Sequence, residues 1–281
     1  MTKTAVVTGA SSGIGKAIAE ALVTHGYRVV GTSRNPDSLK DSVRVPGVEY
    51  RALDLTDRAS IEAFGAQVGV VDVLVNNAGE SQSGPFEELP ADAIERLFHL
   101  NVFGQVRLTQ LLLPGMRERG YGRVIMIGSM LASFPLAYRS SYVATKAAIK
   151  AFADSARLEL SPYGVWITTV EPGSINTGIS ERRTKYVADN SPIATSSTPS
   201  YRHLMPRKRK GSPHRTLLQR CFRRSQPTSQ NRCTPEEAGR TLFFYSNVSH
   251  LRLSSSGSSQ SSSGSNDKYR HRPLKQKSLA P

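Results

Sequence analysis

The chain has 281 residues and a formal net charge of +15, and its two cysteines, Cys221 and Cys233, match no zinc or redox spacing. Its charge is concentrated at one end, because residues 1–190 hold 20 Lys+Arg against 19 Asp+Glu and residues 191–281 hold 17 against 3. No apolar run approaches the ~20 residues that a membrane-spanning helix needs, so we expect no membrane partner.

The first predicted element is a short buried strand, Thr4–Thr8, followed by a glycine-rich turn and a helix over Lys16–His25. Glycines let the backbone approach a ligand, and the free N–H groups at a helix start bind anions. This order predicts a cradle for a dinucleotide diphosphate, and a simple tight turn is the alternative. The cradle residues are Thr8, Gly9, Ser11, Ser12, Gly13, Ile14 and Gly15.

The end of the second predicted strand, Tyr27–Thr32, bears on cofactor choice. It continues into Ser33 and Arg34, with no acidic residue before Asp37. An acid at this position binds the ribose 2′-hydroxyl of NAD, whereas a basic residue accommodates the 2′-phosphate of NADP. The Arg34 guanidinium and the Ser33 hydroxyl therefore predict NADP(H), with NAD(H) less favoured. A solvated surface arginine is the alternative for Arg34.

The remaining apolar strands alternate with helices. Continuous apolar strands separated by helices predict a Rossmann-type, doubly wound parallel sheet, as a single domain over residues 1–190. Ligands are expected at the carboxyl ends of its strands. The strands are Val48–Leu53, Val71–Val75, Val124–Ile127 and Val165–Val170, and the helices are Ser60–Val68, Ala91–Met116 and Tyr142–Leu160.

Tyr142 and Lys146 lie four residues apart and so share one helix face. A free phenol has a pKa of about 10, and a neighbouring ammonium favours the phenolate. We therefore predict that Lys146 lowers the pKa of Tyr142 and makes it a usable acid or base. Ser129, at a strand end, can hydrogen-bond an oxygen that gains charge. A solvated Tyr–Lys pair and a turn serine are the alternatives.

Six landmarks occur in one order: TGxxxGxG at residues 8–15, NNAG at Asn76–Gly79, Asn101, Ser129, YxxxK at residues 142–146 and PGxxxT at Pro172–Thr177. Over roughly the first two-thirds of the chain this pattern resembles the short-chain dehydrogenase/reductase family. The resemblance implies an oxidoreductase that transfers a hydride between NADP(H) and a ketone or secondary alcohol. Tyr142 would be its general acid/base.

The resemblance also implies individual roles. Lys146 would hold the ribose hydroxyls, and the main chain of Asn101 would bind a water that relays protons to Lys146. Asp54 would contact the adenine, or else act as a helix cap near Asp57. Thr177 would contact the nicotinamide carboxamide. The remaining cofactor-binding residues are Asn77, Ala78, Gly79, Pro172 and Gly173. No metal is implied.

The resemblance bears on partners as well. It implies a small-molecule carbonyl or alcohol substrate. It also implies a homodimer or homotetramer through the helices Ala91–Met116 and Tyr142–Leu160, if the C-terminal region is intact. Met1–Lys3 runs directly into the first strand and leaves no room for a signal peptide, so we expect a cytoplasmic protein.

Residues 191–281 depart from the family pattern. This basic, serine-rich segment has too little apolar surface to offset chain entropy, so we predict disorder. One interpretation is a functional basic tail that binds nucleic acid or an acidic membrane, or a nuclear-import patch around Arg207 to Lys210. Interleaved aromatic residues and an amphipathic helix are lacking, however. The other is a reading-frame shift near Pro192, since TCN serine codons read in a shifted frame specify apolar residues. A catalytically idle dinucleotide-binding scaffold and a basic-tail nucleic-acid-binding protein are therefore the rival functions.

Overall fold

The computed structural model describes residues 2–173, 175, 178–188 and 190–192. The strands in this part of the chain are β1 Thr4–Val7, β2 Arg28–Ser33, β3 Val48–Ala52, β4 Val73–Asn76, β5 Gln82–Ser83, β6 Gly122–Ile127, β7 Val165–Val170 and β8 Thr184–Lys185. The α-helices are α1 Gly13–Thr24, α2 Arg58–Gln67, α3 Ala91–Phe98, α4 Gly104–Glu118 and α5 Ser140–Leu160. The predictions for residues 193–281, disorder included, fall outside the described residues.

Six strands form one parallel sheet in the order β3-β2-β1-β4-β6-β7. The direction of the strand order reverses at β1, where the chain passes from β3 to β4 on its other side. In such sheets, ligands bind in the crevice beyond the carboxyl ends of the strands at this switch point. The predicted Rossmann-type, doubly wound sheet is confirmed.

Each face of the sheet carries its own apolar core. Val6 and Val30 face one way and pack with side chains of α2, α4 and α5. Their neighbours Val7 and Val29 face the other way and pack against Leu22 and other residues of α1. Because side chains alternate along a strand, burial on both faces explains why these strands contain consecutive apolar residues, as in Val6-Val7 and Val29-Val30.

The long helix expected over Ala91–Met116 contains a π-helical turn at His99–Phe103, between α3 and α4. The Gly104 N–H bonds to the His99 carbonyl, five residues earlier. Such turns concentrate at functional sites. Here the turn contains Asn101, whose side chain is fully buried, whereas an asparagine in the middle of a helix is usually exposed.

A separate pair of short parallel strands, β5 and β8, was not predicted. Gln82 pairs with Thr184, and Ser83 pairs with Lys185. The Thr184 N–H also donates to the Ser81 carbonyl at 3.2 Å. These bonds fix residues 178–188 against the loop that follows β4, at the ligand-binding end of the sheet.

Candidate active site

The glycine-rich turn joins β1 to α1 at the switch point. Gly9 and Gly13 have φ angles of +66° and +56°, a region that favours glycine. A Cβ at Gly15 would overlap the Gly9 carbonyl oxygen and the Asn77 amide. The N-cap residue, Ser12, makes no side-chain capping bond, and the first turn of α1 has no acidic residue. The helix start is thus shaped for an anion, and it fits the diphosphate of a dinucleotide.

Thr8 joins this turn to the loop after β4. Its hydroxyl oxygen accepts the N–H groups of Asn77 and Ala78, both at 2.9 Å. The Asn77 side-chain amide in turn donates to the carbonyls of Thr8 at 2.8 Å and Gly9 at 3.3 Å. Since Thr8 is fully buried, these bonds hold both loops in place before a ligand arrives.

The residues predicted to select the cofactor lie where β2 and β3 end. Ser33 is half-buried and Arg34 is exposed. Within the described residues, Arg34 belongs to none of the ion pairs, so its guanidinium is open to an anion. Asp54 accepts the Thr56 N–H at 2.8 Å and the Thr56 hydroxyl at 2.7 Å. Asp57, not Asp54, is the N-cap residue of α2.

Tyr142 and Ser129 meet beyond the carboxyl end of β6. Each is 8% exposed, and the Ser129 hydroxyl accepts the Leu131 N–H at 3.2 Å. Burial raises the pKa of Tyr142, while the neighbouring Ser129 hydroxyl and the charges of Arg139 and Arg183 act to lower it. The effect of burial is the largest, so the phenol carries its proton at neutral pH. Ser129 and Tyr142 are therefore placed to bind and protonate one oxygen atom.

Lys146 lies one helical turn beyond Tyr142, as predicted. Its expected effect, a lowered pKa of Tyr142, is not found. Its ammonium is buried, donates to the Ile127 carbonyl at 2.8 Å and lies 5.9 Å from the centre of the Tyr142 ring. Burial lowers the pKa of Lys146 to about 8. The net pKa of Tyr142 is raised rather than lowered, and the cations that oppose this rise are Arg139 and Arg183.

Asn101 clamps the loop after β4. Its side-chain amide donates to the Glu80 carbonyl at 3.0 Å, and its amide oxygen accepts the Glu80 N–H at 3.0 Å. The same amide donates to the Thr145 hydroxyl of α5 at 3.2 Å. A Cβ at Gly79 would lie 2.9 Å from the Asn101 amide oxygen, so only glycine fits there. The water relay through the Asn101 main chain stays a prediction.

Two arginines beside Tyr142 were not singled out from the sequence. Arg139 is the N-cap residue of α5, a position where Ser, Thr, Asp or Asn is usual. Its guanidinium lies 4.7 Å from the centre of the Tyr142 ring and donates to the Ser81 hydroxyl at 2.7 Å. Arg183 donates to the same hydroxyl at 3.3 Å. The unusual N-cap was the one available signal for Arg139.

The loop after β7 closes the other side of the crevice. The Pro172 carbonyl accepts the Met130 N–H at 3.0 Å, which ties this loop to the residues that follow Ser129. Gly173 is exposed. Thr177 lies outside the described residues, so its contact with a nicotinamide carboxamide stays a prediction.

A cavity of about 420 Å³ lies next to this site. Ser140 and Val143, which flank Tyr142 on α5, line it, but Tyr142 and Ser129 do not. Its remaining lining is mostly apolar: Gly84, Phe86, Pro135, Leu136, Ala137 and Tyr138. In the described part of the chain, no helix is long and apolar enough to cross a bilayer, and no three His, Cys, Asp or Glu residues form a metal-binding group.

Comparison with known proteins found related chains. The family model described as short chain dehydrogenase matches residues 3–187. The uncharacterized oxidoreductase YusZ of Bacillus subtilis is 37% identical over 189 residues, which cover 63% of this chain and 66% of that protein. The chain spans about three-fifths to two-thirds of the length of the first curated relatives that it matches.

Solved structures match in the same way. A short-chain dehydrogenase from Streptomyces avermitilis aligns with a TM-score of 0.71 and 37% identity, over 81% of this chain and 86% of that one. A short-chain dehydrogenase from Sphingobium yanoikuyae in complex with NADPH aligns with a TM-score of 0.58 and 35% identity, over 64% of this chain and 74% of that one.

Proposed function

Because this chain belongs to the short-chain dehydrogenase family, we propose that it is an oxidoreductase that interconverts a ketone and a secondary alcohol with NADP(H). One observation carries this proposal: the buried, proton-bearing phenol of Tyr142 lies beside the Ser129 hydroxyl at the ligand-binding end of the sheet. A bound nicotinamide dinucleotide supplies the hydride for reduction, or accepts it in the reverse direction.

Tyr142 and Ser129 divide the work at the substrate oxygen. In reduction, the Tyr142 phenol gives its proton to the carbonyl oxygen as negative charge develops there. The Ser129 hydroxyl donates a hydrogen bond to the same oxygen and keeps it within reach of the phenol. Once the proton has left, the phenolate is stabilised by the positive charges of Arg139 and Arg183.

Lys146 and Asn101 act behind this pair. With a pKa of about 8, Lys146 can release or take up a proton near neutral pH, which suits the last member of a proton relay. Its proposed second role is to hold the ribose hydroxyls of the dinucleotide. Asn101 fixes Glu80, and with it the loop of Asn77 to Gly79 that borders the cofactor crevice.

The preference for NADP(H) rests on the end of β2. Arg34 is exposed and outside the ion pairs of the described residues, and Ser33 adds a hydroxyl beside it. No acidic residue that would repel a 2′-phosphate occurs before Asp37. The similar protein from Sphingobium yanoikuyae was solved with NADPH, in keeping with this preference.

We also propose that the active form is a homodimer or homotetramer. Three large apolar side chains on the predicted interface helices are exposed: Phe103 at 51%, Phe152 at 48% and Leu158 at 77%. Burying such a surface against a second copy would remove apolar area from water. Light scattering of the purified chain tests this directly, and a monomer at working concentration would contradict it.

The experiment that tests the function is a screen of NADPH oxidation over ketones, aldehydes and quinones. The account predicts turnover of at least one carbonyl class, with a fall of roughly 10²-fold in kcat for Ser129→Ala, since a donor to the developing oxyanion is lost. The matched control is Ser133→Ala. Ser133 is an exposed serine of the same loop, and its hydroxyl accepts a hydrogen bond from Lys150. Tight NADPH binding with no turnover over the whole panel would instead favour an idle dinucleotide-binding scaffold.

A further inference from the structure

Beside the proposed acid lies a pair of cations, Arg139 and Arg183, that has no acidic partner among the described residues. Both donate to one oxygen, the Ser81 hydroxyl, at 2.7 and 3.3 Å, so the two guanidiniums lie close together. Neither belongs to an ion pair within the described residues. Two like charges held together, one of them buried, are unfavourable unless an anion joins them.

Nearby acidic residues do not neutralise the pair. Glu80, next to Ser81 in the chain, is paired with Arg96 at 2.7 Å. Glu88 accepts the Ala188 N–H at 2.9 Å and a hydrogen bond from the Ser191 hydroxyl. Both carboxylates are therefore occupied elsewhere and do not compensate the positive charge of the pair.

Arg139 follows a locally strained stretch of backbone. It is 7% exposed, and its Nε has no hydrogen-bond partner. Tyr138, the residue before it, has a φ of +64°, and its carbonyl accepts the Gly84 N–H at 3.1 Å. Strained backbone of this kind persists where function requires it. Arg139 also begins α5, whose positive dipole end adds to the field.

We propose that Arg139 and Arg183 bind a carboxylate of the substrate, so that the enzyme prefers oxo acids and hydroxy acids to neutral ketones and alcohols. This rests on the proposed function, because it places the carboxylate next to the carbonyl that Tyr142 protonates. Arg183 is half-buried and donates from Nε to Ser81 and from Nη2 to Ser180, so its remaining donors are the ones offered to a carboxylate. Buried Arg139 adds its charge beside it. Arginine is suited to this task because its planar donors match a carboxylate.

The diphosphate of the cofactor is another anion that an arginine pair could bind. Its cradle is the turn between β1 and α1, whereas the two arginines belong to the start of α5 and to the segment beside β8. The pair acts on Tyr142, and both charges influence the ionisation of its phenol. A ligand bound here is thus placed at the reacting end of the site.

The test compares 2-, 3- and 4-oxo acids, each beside its primary amide, in wild type, Arg183→Gln and Arg183→Glu. The acid-to-amide ratio of kcat/KM should favour the acid in wild type, fall roughly tenfold or more in Arg183→Gln, and fall further in Arg183→Glu. Lys185→Gln removes a charge from the same segment at an exposed site and should leave the ratio unchanged. Equal ratios in all four proteins would overturn the proposal.

Two binding measurements separate the proposal from the function on which it rests. Calorimetric titration of succinate should give binding that weakens at least fivefold in Arg183→Gln and not in Lys185→Gln, even if no carbonyl is turned over. Succinate binding that is equal in both variants would refute the carboxylate site. Inorganic phosphate binding more tightly than succinate would also refute it, in favour of a phosphate. If Arg183→Gln weakens NADPH binding as much as succinate binding, the pair belongs to the cofactor and the proposal fails.

Discussion

Replacing Lys146 by Met should remove catalysis and yet stabilise the folded protein at neutral pH. Burial lowers the pKa of Lys146 from 10.5 to about 8, so the unfolded chain binds this proton more tightly than the folded one. At pH 7, below both values, the difference corresponds to roughly 3 kcal/mol of lost stability. Methionine carries no charge but forfeits the hydrogen bond to the Ile127 carbonyl, worth about 1 kcal/mol. A net gain of about 2 kcal/mol is therefore expected.

The sign of the pH dependence makes this prediction specific. Wild-type stability should rise with pH between about 8 and 10.5, because the unfolded state then binds more protons. The advantage of Lys146→Met should accordingly shrink by about 2 kcal/mol between about pH 7 and about pH 9.5. Urea unfolding followed by fluorescence of Trp166, the single tryptophan, measures this. Lys185→Met controls for loss of one surface charge. An advantage that is the same at both pH values would refute the reasoning.

Three further substitutions test separate parts of the site. Tyr142→Phe keeps the ring but removes the proton, so turnover should fall roughly 10²-fold or more while NADPH binding, followed by fluorescence, persists; near-normal turnover would exclude Tyr142 as the acid. Arg34→Asp should shift the NADPH-to-NADH affinity ratio by roughly tenfold or more toward NADH, whereas Arg117→Asp, a reversal of an exposed charge at the end of α4, should not. Asn101→Ala leaves the Glu80 N–H and carbonyl unpaired and should lower the free energy of unfolding by about 2 kcal/mol, and an unchanged urea midpoint would contradict that clamp.

The parallel sheet could be predicted because its information is local. Consecutive apolar residues, such as Val73, Leu74 and Val75 of β4, are typical of strands buried on both faces, and the intervening helices fix the parallel connection. The glycine turn, Asn77 and the Tyr142–Lys146 spacing are likewise local patterns. In the structure, each of these features lies at the strand end or on the helix face that its motif indicates.

The rest depends on contacts between distant residues or on burial. The π turn at His99–Phe103 leaves the apolar periodicity almost unchanged, so the sequence predicts one continuous helix there. The convergence of Arg139 and Arg183 on Ser81 requires the pairing of β5 with β8, which two-residue strands cannot reveal in advance. The shift in the pKa of Tyr142 was predicted in the wrong direction, because residue spacing shows which groups are neighbours but not how far burial removes them from water.

The most direct test of the central claim is isotopic. NADPH carrying deuterium at the transferable C4 position is incubated with the protein and a carbonyl substrate identified by the screen, and the alcohol product is examined by mass spectrometry and NMR. The account predicts one deuterium on the carbinol carbon for each NADPH consumed, and almost none of this product from Tyr142→Phe. Alcohol without deuterium, or NADPH that binds and is never oxidised, would contradict it.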